Sequence, residues 1–108
     1  MGYRSEVGLV LDSASASALD ALAKLNSDVR ELLEHSKELT KCESEHRYYW
    51  EWIKWYDTDP GVSELEKFLG QLPESSYGFI RLGEEASDIE EMGFPFKFDM
   101  HVTRKLMV

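Results

Sequence analysis

Basic residues are scarce in this chain. Twelve lysines and arginines stand against 21 aspartates and glutamates, for a net charge of −9. Direct binding to DNA or RNA is disfavoured on that ground, since each phosphate contact works against a repulsive field. Cysteine is nearly missing. Cys42 stands alone, so no intrachain disulfide can form, and a reducing compartment suits the chain. No stretch approaches the ~18 apolar residues that suggest a membrane span. The short apolar run in MGYRSEVGLVLD is bracketed by Glu6 and Asp12 and lacks the length and cleavage site of a secretory leader. It reads as a strand, and the protein is expected to be soluble and cytosolic. Catalytic signatures are missing too. There is no G-x-S-x-G elbow and no glycine-rich phosphate loop, and the pattern around Cys42 argues no electropositive setting that would activate it. Cys42 and His46 stand at C-x3-H spacing, but two ligands are too few for structural zinc, and His35 and His101 belong to distant segments. No enzyme activity, metal or cofactor is expected.

What the chain does have is the makings of a core. Hydrophobic residues make up 43% and aromatics 12%, enough for one domain over 1–108 without disulfides or metals. The densest stretch is HRYYWEWIKWY at 46–56, which holds six of the thirteen aromatics and all three tryptophans. Alternation places Tyr48, Trp50 and Trp52 on one face and Arg47, Tyr49, Glu51, Ile53 and Trp55 on the other. A strand apolar on both faces belongs in the middle of a sheet.

The remaining elements follow from local patterns. Residues 5–11 alternate as a first strand, Val7/Leu9/Leu11 against Glu6/Gly8/Val10. A helix follows, with Ser13 or Ser15 as its cap and a stripe of Leu19, Leu22, Leu25 or Asn26, Val29, Leu32 and Leu33. Asn26-Ser27 predicts a kink or a re-started helix capped by Ser27. A short polar strand is expected at 37–42. Asp59 then caps a second helix with Pro60 in its first turn and Val62, Leu65, Phe68, Leu69 and Leu72 as its apolar stripe, and Pro73 stops it. Residues 75–82 form another strand, 83–93 an acidic connection with one helical turn capped by Ser87, and 98–106 an edge strand after Pro95. That order predicts an α+β fold, a ferredoxin-like βαββαβ two-layer sandwich with an additional C-terminal strand.

Two groups of residues are candidates for binding. With Tyr48, Trp50 and Trp52 facing the helices, the other sheet face gathers Arg47, Tyr49, Glu51 and Trp55, joined by Phe79 and Arg81 from the neighbouring strand and Glu6 from the first. The candidate sheet-face site is Arg4, Glu6, Tyr49, Glu51 and Arg81. This is either a ligand platform or a half-exposed sheet with ordinary cross-strand ion pairs. An aromatic sheet face also suggests an RNA-recognition module, but YYWEWIKWY lacks the glycine-aromatic run such modules carry and puts Glu51 where a base would stack. The second group is the acidic run Glu84, Glu85, Asp88, Glu90 and Glu91. It either presents charge to the basic side chains of a partner or is a solvated connection.

The opening MGYRSEV, the strand YYWEWIKWY and the segment YGFIRLGEEASDIEEMG together resemble small bacteriophage and prophage proteins. Those open M-G-Y-R-S-D/E-V and carry W-D/E-W-x-K-W-Y and F-I-R-L-G-E-D/E-x-x-D-I-E-E runs. The resemblance covers about a third of the chain. It implies a phage accessory product in the host bacterial cytoplasm, with Arg4, Glu6, Glu51, Arg81, Glu84, Asp88 and Glu90 as shared positions. The expected function is therefore a non-catalytic binder of a host protein with a basic surface, a host-takeover or anti-defence inhibitor that in one form mimics nucleic-acid charge. The alternative is a small-molecule binding domain for a nucleotide-like or cationic ligand on the helix-free face. An unpaired edge strand also allows a homodimer.

Overall fold

The computed structural model describes residues 3–41, 45–85 and 87–98. Its elements run β1 (Ser5–Asp12), α1 (Ser13–Leu25), α2 (Ser27–Glu34), β2 (Lys37–Lys41), β3 (Glu45–Ile53), α3 (Pro60–Gly70), β4 (Tyr77–Leu82) and β5 (Ile89–Gly93). Short 3₁₀ turns precede β4 and follow β5. The strands make one α+β sheet in the order β2-β3-β1-β4-β5, every neighbouring pair antiparallel. All three helices belong to one side of it.

Strand β1 is central because both of its faces are fit for burial. Val7, Leu9 and Leu11 point into the core with Trp50, Tyr48 and Phe79, beneath Leu19, Val29, Val62, Leu65 and Leu69 from the helices. Burying each such side chain contributes about 1.5–3 kcal/mol relative to exposure. Val10 and Ile80 lie on the helix-free face and are buried as well. Phe79 stands opposite Leu9 and Arg81 opposite Val7, so both occupy the helix side. The expectation that these two join the helix-free face is corrected by that register.

Helix ends follow their capping chemistry. The α1 cap is Asp12, whose carboxylate accepts the Ser15 N–H at 2.8 Å, in place of the expected serines. The predicted break falls at Asn26. Its extended backbone ends α1, and its side-chain oxygen accepts from Asp28 N and Val29 N, so Asn26 and not Ser27 starts α2. The break turns Leu25 outward, 89% exposed, and removes it from the apolar stripe. Asp59 and Pro60 open α3 as their types require. Gly61 lies against the backbone of α2: a Cβ there would come within 2.7 Å of the Asp28 carbonyl oxygen. That absence of a side chain lets α2 and α3 pack closely.

Strand β3 departs from simple alternation. Ser5 pairs with Ile53 but Val7 pairs with Trp50, so Glu51 and Trp52 together stand opposite Glu6 in a β-bulge. The extra residue changes the phase of the strand. Ile53 therefore packs against the core, and Trp52 is 55% exposed, against the expectation that it faces the helices. Trp55 lies beyond the end of the strand, where alternation no longer applies. It turns inward onto Trp50 (ring centroids 5.2 Å) and Phe79 (5.9 Å), which corrects its placement on the other face. The Trp50 indole N–H donates to the Leu32 carbonyl at 2.9 Å and fastens β3 to the end of α2.

The segment expected to be an acidic loop with a helical turn is a hairpin with β5 as its second strand. Met92 packs on the core from there. The expected strand at 98–106 begins at Phe98, which ends a 3₁₀ turn; the rest of it lies outside the described residues.

Candidate functional site

Arg81 organises the acidic segment. Its Nη2 donates to Asp88 Oδ1 at 2.9 Å, Nη1 to Asp88 Oδ2 at 3.2 Å, Nε to Glu90 Oε1 at 3.2 Å, and Nη1 also to Ser5 Oγ at 3.1 Å. Tyr3 donates its hydroxyl to Asp88 Oδ2 at 2.6 Å and accepts the Glu85 N–H at 3.1 Å. Glu84 accepts the backbone N–H of Arg4 at 3.2 Å. Gly83 fits beneath this clip because a Cβ there would overlap Asp88 Oδ2 and Tyr3 Oη. The hydrogen bond to Asp88 raises both the Tyr3 phenol and the Arg81 guanidinium above their ordinary values.

The five acids thus divide. Asp88 and Glu90 are matched by one guanidinium, while Glu84, Glu85 and Glu91 are exposed and meet no cationic side chain among the described residues. Glu91 and Ile89 project on the helix-free side of β5, and Ile89 and the following Phe94 are 44% and 53% exposed. Sequence reading singled out the acids but missed these two apolar neighbours.

The second candidate group is largely brought together. Arg4, Glu6, Tyr49 and Glu51 line a groove of about 770 Å³ around the β3 bulge, joined by His35, Lys37, Trp52 and Lys54. Arg81 is not among them, since it points to the helix side. Lys37 Nζ meets Glu51 Oε2 at 3.0 Å, an exposed pair of small energetic worth. Burial pushes the Tyr49 phenol up to about 12, aided by the charge and hydrogen bond of Glu6 and the charge of Glu51. Arg4 Nη1 donates to the Trp52 carbonyl at 3.3 Å. No periodicity announces Trp52 or Lys54 here, because the bulge alone decides where they stand.

A third cluster was not foreseen. On the helix side, burial pushes the Glu66 carboxyl up to about 7, with a hydrogen bond to the Asp57 carboxylate and the charges of Glu90 and Asp57 adding to the rise. The Trp55 indole N–H opposes the rise from nearby, yet it is buried and makes no hydrogen bond of ordinary geometry. Among the described residues no three histidines, cysteines or carboxylates are grouped to hold a metal ion. Cys42 and His101 lie outside those residues. No described helix is long and apolar enough to cross a membrane. The chain matches no family model, no curated protein and no solved structure.

Proposed function

We propose that this is a small, acidic, non-catalytic binding protein of bacteriophage type that captures a host protein in the bacterial cytoplasm. The observation that carries the reading is the β5 surface. Exposed Ile89 and Phe94 stand among Glu84, Glu85 and Glu91, and no described strand pairs with the outer edge of β5. Exposed apolar side chains ringed by uncompensated acids suit a protein partner with a basic rim better than they suit solvent alone. An edge that no described strand covers adds backbone donors and acceptors for such a partner. Charge mimicry is reduced in scope, because Arg81 already matches Asp88 and Glu90; Glu84, Glu85 and Glu91 carry what remains. The fold reading within this proposal is ferredoxin-like. It is supported by β1 and β3 lying centrally, by α1–α2 and α3 following them, and by β5 being added outside β4.

The test is capture from bacterial host lysate with the wild type, an Ile89→Lys/Phe94→Lys variant and a Glu85→Lys/Glu91→Lys variant. One stoichiometric partner, lost with either double substitution and kept with Trp52→Ala, is expected. A partner held equally by all of them removes β5 as the surface.

A second reading, a small-ligand domain, is favoured by the groove around the bulge, whose about 770 Å³ falls within the range of small-molecule sites.

A further inference from the structure

The cations of the sheet are mostly matched. Arg81 has Asp88 and Glu90, Arg47 has Glu45, and Lys37 has Glu51. Two that line the groove are different. Neither the Arg4 guanidinium nor the Lys54 ammonium meets a carboxylate among the described residues. Arg4 is nonetheless held in place, by its own N–H on Glu84 and by Nη1 on the Trp52 carbonyl. One of its five N–H donors is used there and the rest remain available. In a chain of net charge −9 this is a local reversal of sign.

Trp52 lines the same groove, 55% exposed where Trp50 and Trp55 are buried. A bulge that turns so large an apolar ring to solvent spends burial that the core could have used. The ring offers a flat face on which a planar aromatic group can stack. The carboxylates that line the groove, Glu6 and Glu51, are outnumbered by its cations Arg4, Lys37 and Lys54, and Glu51 is engaged by Lys37.

We propose that the groove binds a planar aromatic ligand that carries a phosphate, in its simplest form a nucleoside monophosphate. The base stacks on Trp52, and the phosphate is held by Arg4 and Lys54. This rests on the small-ligand reading and is independent of capture through β5.

The experiment titrates the intact protein with the four nucleoside 5′-monophosphates, with adenosine and with inorganic phosphate, read by calorimetry and by tryptophan emission. Saturable binding of at least one monophosphate is expected, with quenching of the exposed, red-shifted emission of Trp52. Adenosine and inorganic phosphate should each bind at least tenfold more weakly. Arg4→Gln and Lys54→Gln should each weaken the monophosphate about tenfold, and Trp52→Ala should do so by about tenfold or more, all three with the melting temperature of the free protein unchanged. Monophosphate binding that these variants leave intact overturns the assignment. So does stronger binding of an uncharged or cationic aromatic compound in a Trp52-dependent way, although the small-ligand reading then stands. No binding of any compound in a broad panel overturns both.

Discussion

Arg81 and Asp88 are joined by two parallel hydrogen bonds, 2.9 and 3.2 Å long, across the turn from β4 to β5. The pair is partly buried and also receives Tyr3, Ser5 and Glu90, so its removal strands several groups at once. Arg81→Met is expected to destabilise the protein by about 1–2 kcal/mol, the cost of leaving partly exposed charge partners unmatched. Arg81→Lys should recover only part of this, because an ammonium cannot reproduce the fork. Urea unfolding of the two variants checks both statements.

Trp50 is expected to contribute through its ring and its N–H separately. Trp50→Phe keeps most of the apolar contact but removes the indole bond to the Leu32 carbonyl, which keeps the His35 N–H at 3.2 Å, for a loss of about 1 kcal/mol. Trp50→Ala adds a cavity and should cost about 3–5 kcal/mol. Similar losses in the two variants would show that the ring's packing contributes little.

Gly61 tests the contact of α2 with α3. An added methyl meets the Asp28 carbonyl at 2.7 Å, and that oxygen belongs to backbone that cannot step aside. Gly61→Ala is expected to destabilise by about 1–3 kcal/mol through overpacking, despite alanine's better helix propensity. Thermal melts that show a gain would mean the two helices separate freely.

Glu66 gives stability a pH dependence of unusual sign. Its carboxyl titrates at about 7 when folded, against an ordinary value of 4.5. The folded state therefore holds a proton that the unfolded chain has released between those values. The stabilising contribution is complete below 4.5 and is lost as the pH rises through about 7. Glu66→Gln should flatten this slope and make the variant more stable at pH 8. After allowance for solvent screening of a partly exposed group the gain is on the order of 1 kcal/mol. Denaturation at pH 5 and pH 8 checks it: an unchanged slope in the variant would exclude Glu66 as the titrating group.

Much of the fold was legible because it is locally encoded. The alternation in β1 needs no partner to be read, and Asp59-Pro60 announces a helix start through capping alone. Asn26-Ser27 marks a break for the same reason, though the choice of cap between them depends on reach. The bulge was illegible because Trp52 and Ile53 are both apolar, so neither phase of the strand violates any pattern. Trp55 was misplaced by carrying alternation past the end of the strand. β5 was hidden in acids whose charge is matched by Arg81 across the hairpin, a pairing that exists only once β4 and β5 meet. The same limit governs the site. Glu6, Tyr49 and Glu51, grouped by strand geometry, line one groove together with Arg4, whereas Arg81, placed with them, lies on the opposite face.

The position of β1 also constrains when this protein can fold. Both of its neighbours, β3 and β4, follow it in the chain, and the Tyr3–Asp88 bond spans 85 residues. During synthesis the central strand emerges before either partner. Until β4 leaves the ribosome, one flank of β1 stays unpaired beside exposed apolar surface, so the nascent chain is most prone to aggregate at that stage. Closure of the sheet must wait for contacts of long sequence separation, which favours slow folding late in translation.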